Sequence, residues 1–334
     1  MKQTDGIISI DSGASSSLDE DEVDSASEWR HAIVAPNFHG WRLDRALVEV
    51  ASEFSRSYLQ QLIDAGAVAL NGKSVQKASS KVKVGDEIAL ELRPTPQSQA
   101  FKPEPMALQV IFEDEHLLVI NKPAGLVVHP APGNWGGTLL NGLLAHSSAH
   151  AAVPRAGIVH RLDKDTSGLM VVARTRLMMD ALVDAIAARK VSRQYLAIAH
   201  KPWIGGTTRS VDSAIGRDPR NRLRMAVVDL LKNAGKTART DFVLQANGND
   251  GCLVRCILHT GRTHQIRVHM ASIGHPLVAD NVYGGHSVGA MHRQALHACR
   301  LAFCHPATGQ DMVFEANAPE DFRQLSVDFG LSYN

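Results

Sequence analysis

The stretch Arg161-Leu162-Asp163-Lys164-Asp165-Thr166-Ser167-Gly168-Leu169 constrains this chain more than any other. Asp, Thr, Ser and Gly close tight turns through local hydrogen bonds and positive-φ freedom, so the segment reads as a polar turn leading into the apolar run Leu169-Met170-Val171-Val172-Ala173. Such a turn holds a side chain where a substrate can reach it, and Asp163 is the candidate nucleophile. The competing reading is an Asx-turn whose carboxylate only caps backbone N–H groups.

The same residues imitate two other chemistries. Asp163, Asp165, Ser167 and Gly168 imitate positions one, three, five and six of a calcium loop, but position twelve, where a bidentate Glu is needed, is Arg174. That permanent cation repels the ion. A phosphatase with an aspartyl nucleophile and a second Asp two residues on would use magnesium, and the cationic Arg161 beside the carboxylate competes with a metal. Metal-dependent phosphoryl transfer is therefore a minor alternative. Gly235-Lys236-Thr237 ends like a phosphate-binding loop, but Leu230 stands where its first glycine is required.

Residues 157–169, Gly-Ile-Val-His-Arg-Leu-Asp-Lys-Asp-Thr-Ser-Gly-Leu, resemble the signature of the RluA family of RNA pseudouridine synthases. The resemblance extends in the same order to residues 120–130 (Ile-Asn-Lys-Pro-Ala-Gly-Leu-Val-Val-His-Pro), to Arg193-Gln194-Tyr195-Leu196-Ala197 and to residues 260–269 (Thr-Gly-Arg-Thr-His-Gln-Ile-Arg-Val-His). Val153–Gly157, Gly274–Val278 and Val282–Gly285 resemble members acting on large-subunit ribosomal RNA. Coverage runs from about residue 35 to the end.

The composition suits such an enzyme: 334 residues at 44% hydrophobic support a large core plus a smaller module. The net charge of +1 conceals eight acids against one base in residues 1–28, which leaves 34 bases and 26 acids in the remainder. A basic body favours a polyanion through phosphate contacts and counterion release. Residues 1–30 lack apolar periodicity and are expected to be a disordered acidic tail without assigned function. Cys252, Cys256, Cys299 and Cys304 lack the Cys-x-x-Cys pairs of a zinc knuckle and are expected to be buried reduced thiols. His259, His264 and His269 lie in a stretch that alternates as a strand, so they are assigned to structure or RNA contact, with no metal site. No run reaches the length of a membrane span and the amino terminus lacks a signal peptide's pattern, which makes the expected location cytoplasmic. No internal repeat is visible.

The predicted organisation is an α+β module over residues 31–95, a linker over 96–105 and a catalytic domain over 106–334, with the boundary near residue 100. In the first module Ser55 is a candidate cap for a helix burying Tyr58, Leu59, Leu62 and Ile63. Asn71-Gly72 signals a hairpin, and Glu87–Leu92 alternates as a strand. This module resembles the S-four-type RNA-binding domain. The resemblance implies that Arg42, Arg45, Arg56, Lys73 and Lys77 present charge to RNA; the alternative is solvated surface charge. Prolines 94, 96, 103 and 105 mark the linker. Beyond it, the runs Val110–Phe112, Leu117–Ile120 and Leu169–Ala173 alternate with a helix predicted over Leu177–Ala188, a mixed α+β pattern. The resemblance adds a mixed, largely antiparallel sheet with an active-site cleft crossing one face.

The implied reaction cuts the bond from ribose to N1 of uridine, turns the base and rejoins it through C5, without any cofactor. Asp163 would attack the anomeric carbon or remove a neighbouring ribose proton, and both routes stay open. Arg267 is implied as the arginine that keeps Asp163 ionised, against a phosphate or structural role. Tyr195 is implied as the ring that stacks on the detached base while its hydroxyl helps remove the C5 proton, against a core tyrosine. His160 and Arg161 would hold the gap left by the flipped nucleotide, with Arg262 beside them on RNA. Arg217, Arg220, Arg222 and Arg224 form a loop-like cationic cluster expected to grip phosphates. The expected partner is large-subunit ribosomal RNA, free or in a precursor or assembled subunit. The rival reading is a non-catalytic RNA-binding or ribosome-assembly protein.

Overall fold

The computed structural model describes residues 28–52, 54–92, 100–131 and 133–331. The expected acidic tail lies outside this range up to residue 27, as do linker residues 96–99. The chain divides into two compact units, Met1–Gln99 and Ala100–Asn334.

The first unit sets helices α1 (Leu43–Val50) and α2 (Arg56–Asp64) with a sheet of β1 (Glu28–Ile33), β2 (Val68–Leu70), β3 (Lys73–Ser74) and β4 (Glu87–Leu92), ordered β1-β4-β2-β3. Ser55 caps α2 by accepting a hydrogen bond from the Tyr58 amide at 3.3 Å. Leu59, Leu62 and Ile63 fall on the face that α2 buries, with Tyr58 partly buried against the same core. Asn71 (φ 52°) and Gly72 (φ 75°) both take the left-handed conformation that a two-residue hairpin of this twist demands. β4 buries Ile88, Leu90 and Leu92 on one face, as the alternation predicts. Strand β1 begins at Glu28, so residues 28–30 belong to the sheet and not to the tail; antiparallel pairing of Glu28–Ile33 with β4 gives their backbone groups the partners a solvated tail would lack.

The second unit is built on a sheet ordered, among the described residues, β5-β6-β7-β15-β8-β14-β13-β9, with β16 also paired to β15. Its strands are β5 (Val110–Glu113), β6 (Leu117–Lys122), β7 (Ser167–Ala173), β8 (Ser192–His200), β9 (Thr208–Asp212), β13 (Arg239–Asn247), β14 (Gly251–Leu258), β15 (Leu296–Cys304) and β16 (Asp311–Glu315). A smaller sheet joins β10 (Ile215–Arg217), β11 (Met225–Val227) and β12 (Gly235–Lys236). Among the described residues four α-helices complete the unit: α3 (Leu139–His146), α4 (Arg176–Ala187), α5 (Gln265–Ser272) and α6 (Glu320–Asp328). The strands predicted at Val110–Phe112, Leu117–Ile120 and Leu169–Ala173 and the helix after Ala173 form, and the fold is α+β with a mixed, largely antiparallel sheet.

β7 is buried along its whole length because both faces are covered, with Met170 and Val172 in one core and Leu169, Val171 and Ala173 in another. The residues expected as a strand around His264 and His269 instead form α5. Apolar residues at every second position mimic a strand, but Gln265–Met270 are all buried, so no polar face reveals the helical period. The buried polar side chains of α5 are satisfied: Gln265 donates to the Thr240 hydroxyl at 2.9 Å, and His269 bonds that hydroxyl at 2.9 Å and the Ser213 carbonyl at 3.0 Å. His269 is thus a satisfied core histidine.

β7 and β15 pair in parallel, His297 with Ser167 and Ala298 with Gly168, so the two segments that lead into them start at the same edge of the sheet. Gly168 makes the pairing possible: its φ is +119°, and a Cβ there would lie 2.3 Å from the Ala298 carbonyl oxygen. Gly168→Ala is expected to lower stability by about 3 kcal/mol or more, seen as a lower urea midpoint for the second unit. An unchanged midpoint would show that the strand pair has slack it lacks here.

Candidate active site

The turn before β7 is fixed from three sides. The Thr166 amide donates to the Asp163 carbonyl at 3.1 Å, closing the turn on itself. Below it, the Lys122 ammonium is buried at 1% exposure and donates to the carbonyls of Pro123, Leu126 and Lys164 at 2.8, 2.9 and 2.9 Å. All three of its protons are used, which ties the turn to the end of β6. Burial pushes the Lys122 pKa down to about 8, against the raising effect of Asp165 and Asp163. From the β15 side, Arg293 donates to the Asp165 carbonyl at 3.0 Å while gripping Asp321 with two bonds of 2.6 and 2.8 Å. Gln294 donates to the Thr166 hydroxyl at 3.2 Å.

The Asp163 carboxylate faces α5. Arg267, in the first turn of that helix, donates from Nη1 to Asp163 Oδ2 at 3.0 Å. Its other edge grips the fully buried Asp280 bidentately, Nε to Oδ2 at 2.7 Å and Nη2 to Oδ1 at 2.9 Å. Arg267 is itself only 5% exposed. Burial alone would favour its neutral form, but the hydrogen bonds and charge of Asp280, with the charge of Asp163, hold it more firmly protonated than a free arginine. The Tyr283 ring lies 5.0 Å from the guanidinium carbon, and the Tyr283 hydroxyl lies 2.8 Å from His264 Nδ1. His264 takes a left-handed φ of 57°, and burial lowers its pKa, so it stands 3.9 Å from Asp163 as a neutral ring.

Asp163, His264 and Arg267 line a cavity of about 540 Å³, a size suited to a nucleotide. Among the described residues Asp163 is its single carboxylate, against six arginines: Arg155, Arg161, Arg189, Arg193, Arg262 and Arg267. Tyr195 on β8 lines the same cavity, and its hydroxyl has no hydrogen-bond partner among the described residues. Burial pushes its pKa up to about 12, so it is a phenol, not a phenolate, at neutral pH. Arg161 stands exposed at the rim, whereas Arg262 donates to the Thr237 carbonyl at 3.1 Å.

The structure brings Asp163, Tyr195 and Arg267 into one cavity, with Arg161 and Arg262 at its wall. His160 also touches the cavity, but its Nε2 accepts the Val171 amide proton at 3.1 Å and burial pushes its pKa down to about 3. It is therefore a neutral ring anchored on β7 at the cavity wall. His259 is bound to Asp241 at 2.5 Å. The cysteines are free among the described residues, but only Cys252 and Cys256 are buried; Cys299 is half-buried and Cys304 is exposed, because β15 turns its last residue outward at the sheet margin.

Residues 116–272 match the family described as RNA pseudouridylate synthase, and residues 41–88 match the S4 domain. A protein of Neisseria meningitidis serogroup B named ribosomal large subunit pseudouridine synthase D is 47% identical over 325 residues, covering 92% of this chain and 84% of its own. A protein of Escherichia coli O6:H1 with the same name is 42% identical over 307 residues, 88% of this chain and 92% of its own. The chain belongs to the RNA pseudouridylate synthase family. Among solved structures, human RNA pseudouridylate synthase domain containing 1 aligns with a TM-score of 0.51 at 26% identity, over 65% of this chain and 86% of that one. Human RNA pseudouridylate synthase domain containing 4 shares the fold with a TM-score of 0.53. This synthase is an isomerase, and its first unit is an S4 domain.

Elsewhere in the synthase the predicted basic residues divide. Asp44, buried in α1, accepts from Arg42 at 3.0 and 3.1 Å, from Arg56 at 2.9 Å and from Gln60 at 2.7 Å, and these bonds hold its carboxyl well below the usual range. Arg42 and Arg56 are thereby fixed in direction while still exposed. Arg45 stacks over the Trp41 ring at 3.9 Å, and Lys73 and Lys77 stand exposed. Residues 218–224 form the turn of the β10–β11 hairpin: Arg217, Arg220 and Arg222 are exposed, but Arg224 is held at 2.7 Å by the buried Asp218.

Sequence reasoning missed Lys122, Asp280 and Arg293, which hold the active groups, and Arg155, Arg189 and Arg193 in the cavity wall. Lys122 and Arg193 lie inside stretches already singled out; a lysine and an arginine within apolar strand patterns were the available signal. Asp280→Asn is expected to cost about 3 kcal/mol in urea unfolding, because it removes the counter-charge of a buried arginine. It should also slow isomerisation about 100-fold by releasing Arg267 from its fixed aim at Asp163. Wild-type activity in that variant would show that Asp163 needs no such support.

Proposed function

We propose that this protein isomerises uridines in a stem-loop of large-subunit ribosomal RNA in the cytoplasm, with free RNA or a precursor or assembled subunit as substrate. The names of the relatives support the substrate. The observation that carries the catalytic reading is the ion pair of Asp163 and Arg267, inside a cavity where Asp163 is the single lining carboxylate among the described residues.

A uridine in a helix must leave the stack to reach that cavity, at a cost that binding contacts offset. Arg161, exposed beside the nucleophile, fills or holds the gap; Arg262 and the exposed arginines of the β10–β11 turn grip phosphates, as do Arg42, Arg45, Arg56, Lys73 and Lys77 in the first module. The domain reading is a module over 31–95, a linker over 96–105 and a catalytic domain over 106–334. With Arg267 holding one oxygen, the second oxygen of Asp163 attacks C1′ or takes the neighbouring ribose proton. Either way the N1–C1′ bond breaks with its electrons going to the base. Tyr195 covers the detached base with its ring, and C5 then bonds to C1′, displacing the Asp163 oxygen in the first route or with Asp163 returning the proton to the ribose in the second, while the C5 proton leaves and N1 gains one. The change is redox-neutral and needs no outside reactant.

Asp163→Asn preserves shape and removes the charge. It is expected to bind large-subunit ribosomal RNA with wild-type affinity and to lose pseudouridine formation by roughly 10³-fold or more, measured as tritium release from C5-labelled uridine. Wild-type protein should keep full turnover in EDTA as long as the RNA stays folded. Undiminished product from the variant, or loss of turnover in chelator, would overturn the reading.

A further inference from the structure

Arg193 stands apart from Arg267, the other buried arginine among the described residues, and from the half-buried Arg293 and Arg174. It is 7% exposed, yet it forms no ion pair and its side chain makes no hydrogen bond among the described residues, with Nε fully enclosed and without a partner. Arg267 has two carboxylates, Arg293 has Asp321, and Arg174 has Glu113. A buried cation without a counter-charge is costly, and a protein retains one where a ligand completes it. Arg193 lines the active-site cavity. It also lies two residues from Tyr195 on β8, so the two side chains project from the same face of the strand. Space for its tip is left by Gly261, where a Cβ would come within 2.9 Å of Nη1.

We propose that Arg193 binds a carbonyl oxygen of the flipped uracil, O2 or O4, and stabilises the negative charge that the base carries once the N1–C1′ bond has broken. This rests on the reading that a uridine enters the cavity and is covered by Tyr195. When the bond electrons pass to the base, the charge spreads over N1, O2 and O4, and it persists until C5 bonds to C1′. A guanidinium beside a stacked base donates an N–H to one of those oxygens, which lie on either side of the N3–H donor, and a water-poor site strengthens the interaction where charge develops. A phosphate is the weaker assignment, because exposed Arg155, Arg161 and Arg189 already offer charge at the rim, where the backbone of an extruded nucleotide stays. The field of Arg193 also reaches its neighbours, favouring the neutral form of His160 and opposing the rise in the Tyr195 pKa.

The test uses full-length protein with large-subunit ribosomal RNA transcribed in vitro, and then a synthetic stem-loop bearing the uridine that the wild type modifies. Arg193→Met is expected to keep the wild-type thermal midpoint and RNA affinity within about threefold while the single-turnover rate falls about 100-fold, with partial recovery in Arg193→Lys. Replacing O2 or O4 of the target by sulfur, a poorer acceptor, should slow the wild type severalfold and leave Arg193→Met unaffected. Gly261→Ala, which pushes the guanidinium aside, should slow the wild type but add nothing in the Arg193→Met background. A loss of affinity with an unchanged rate at saturating RNA would assign Arg193 to a phosphate and overturn the proposal, as would equal sulfur effects in wild type and variant. If the wild type itself forms no pseudouridine on this RNA, the functional reading fails instead, a result that the wild-type arm alone reveals.

Discussion

One buried guanidinium, that of Arg267, sits between two carboxylates and determines what the site can do. Asp280 takes its Nε and Nη2 edge with two short bonds, which leaves Nη1 aimed at Asp163. A guanidinium held on one edge has no freedom on the other, so the carboxylate it meets is fixed in rotamer and surrounded by positive charge. Charge balance divides the labour. Asp280 offsets the desolvation of Arg267, and Asp163, at 18% side-chain exposure, stays open to the cavity.

Sheet topology delivers Asp163 to that arginine. Parallel pairing of β7 with β15 brings the segments leading into both strands to one edge, where Arg293 and Gln294 bond the 163–166 turn. Lys122 reaches the same turn from the end of β6 with three carbonyl contacts. The turn that carries the carboxylate therefore belongs to the rigid sheet, although it is a loop by shape. A catalytic carboxylate needs placement within fractions of an ångström, and Lys122, Arg293 and Gln294 hold this turn in one position.

Much of this was legible in the chain. Ser55 as a cap, Asn71-Gly72 as a hairpin, the alternation of Glu87–Leu92 and the apolar run after Gly168 are local signals, and each forms as read. The segment around Arg267 was not, because a short helix buried on every side carries no amphipathic stripe, and Ile266, Val268 and Met270 alternate as a strand would. Asp280, Arg293 and Lys122 were missed for a different reason. Their importance lies in partners 13, 128 and 42 residues away, and long-range pairing leaves no periodic mark. One nitrogen of the His160 ring, three residues before Asp163, is used by the backbone of β7, a bond that its sequence position does not reveal.

The proposed chemistry requires Asp163 to meet the sugar of an extruded uridine while Arg267 still holds it. A crystal structure of the Asp163→Asn protein bound to a large-subunit ribosomal RNA stem-loop tests this most directly. The account predicts the target uridine inside the cavity, the residue-163 side chain within about 3.5 Å of C1′ or the C2′ proton, and Arg267 still clamped on Asp280. A uridine left in its stack, or an Arg267 swung away from position 163 onto a phosphate, would contradict it.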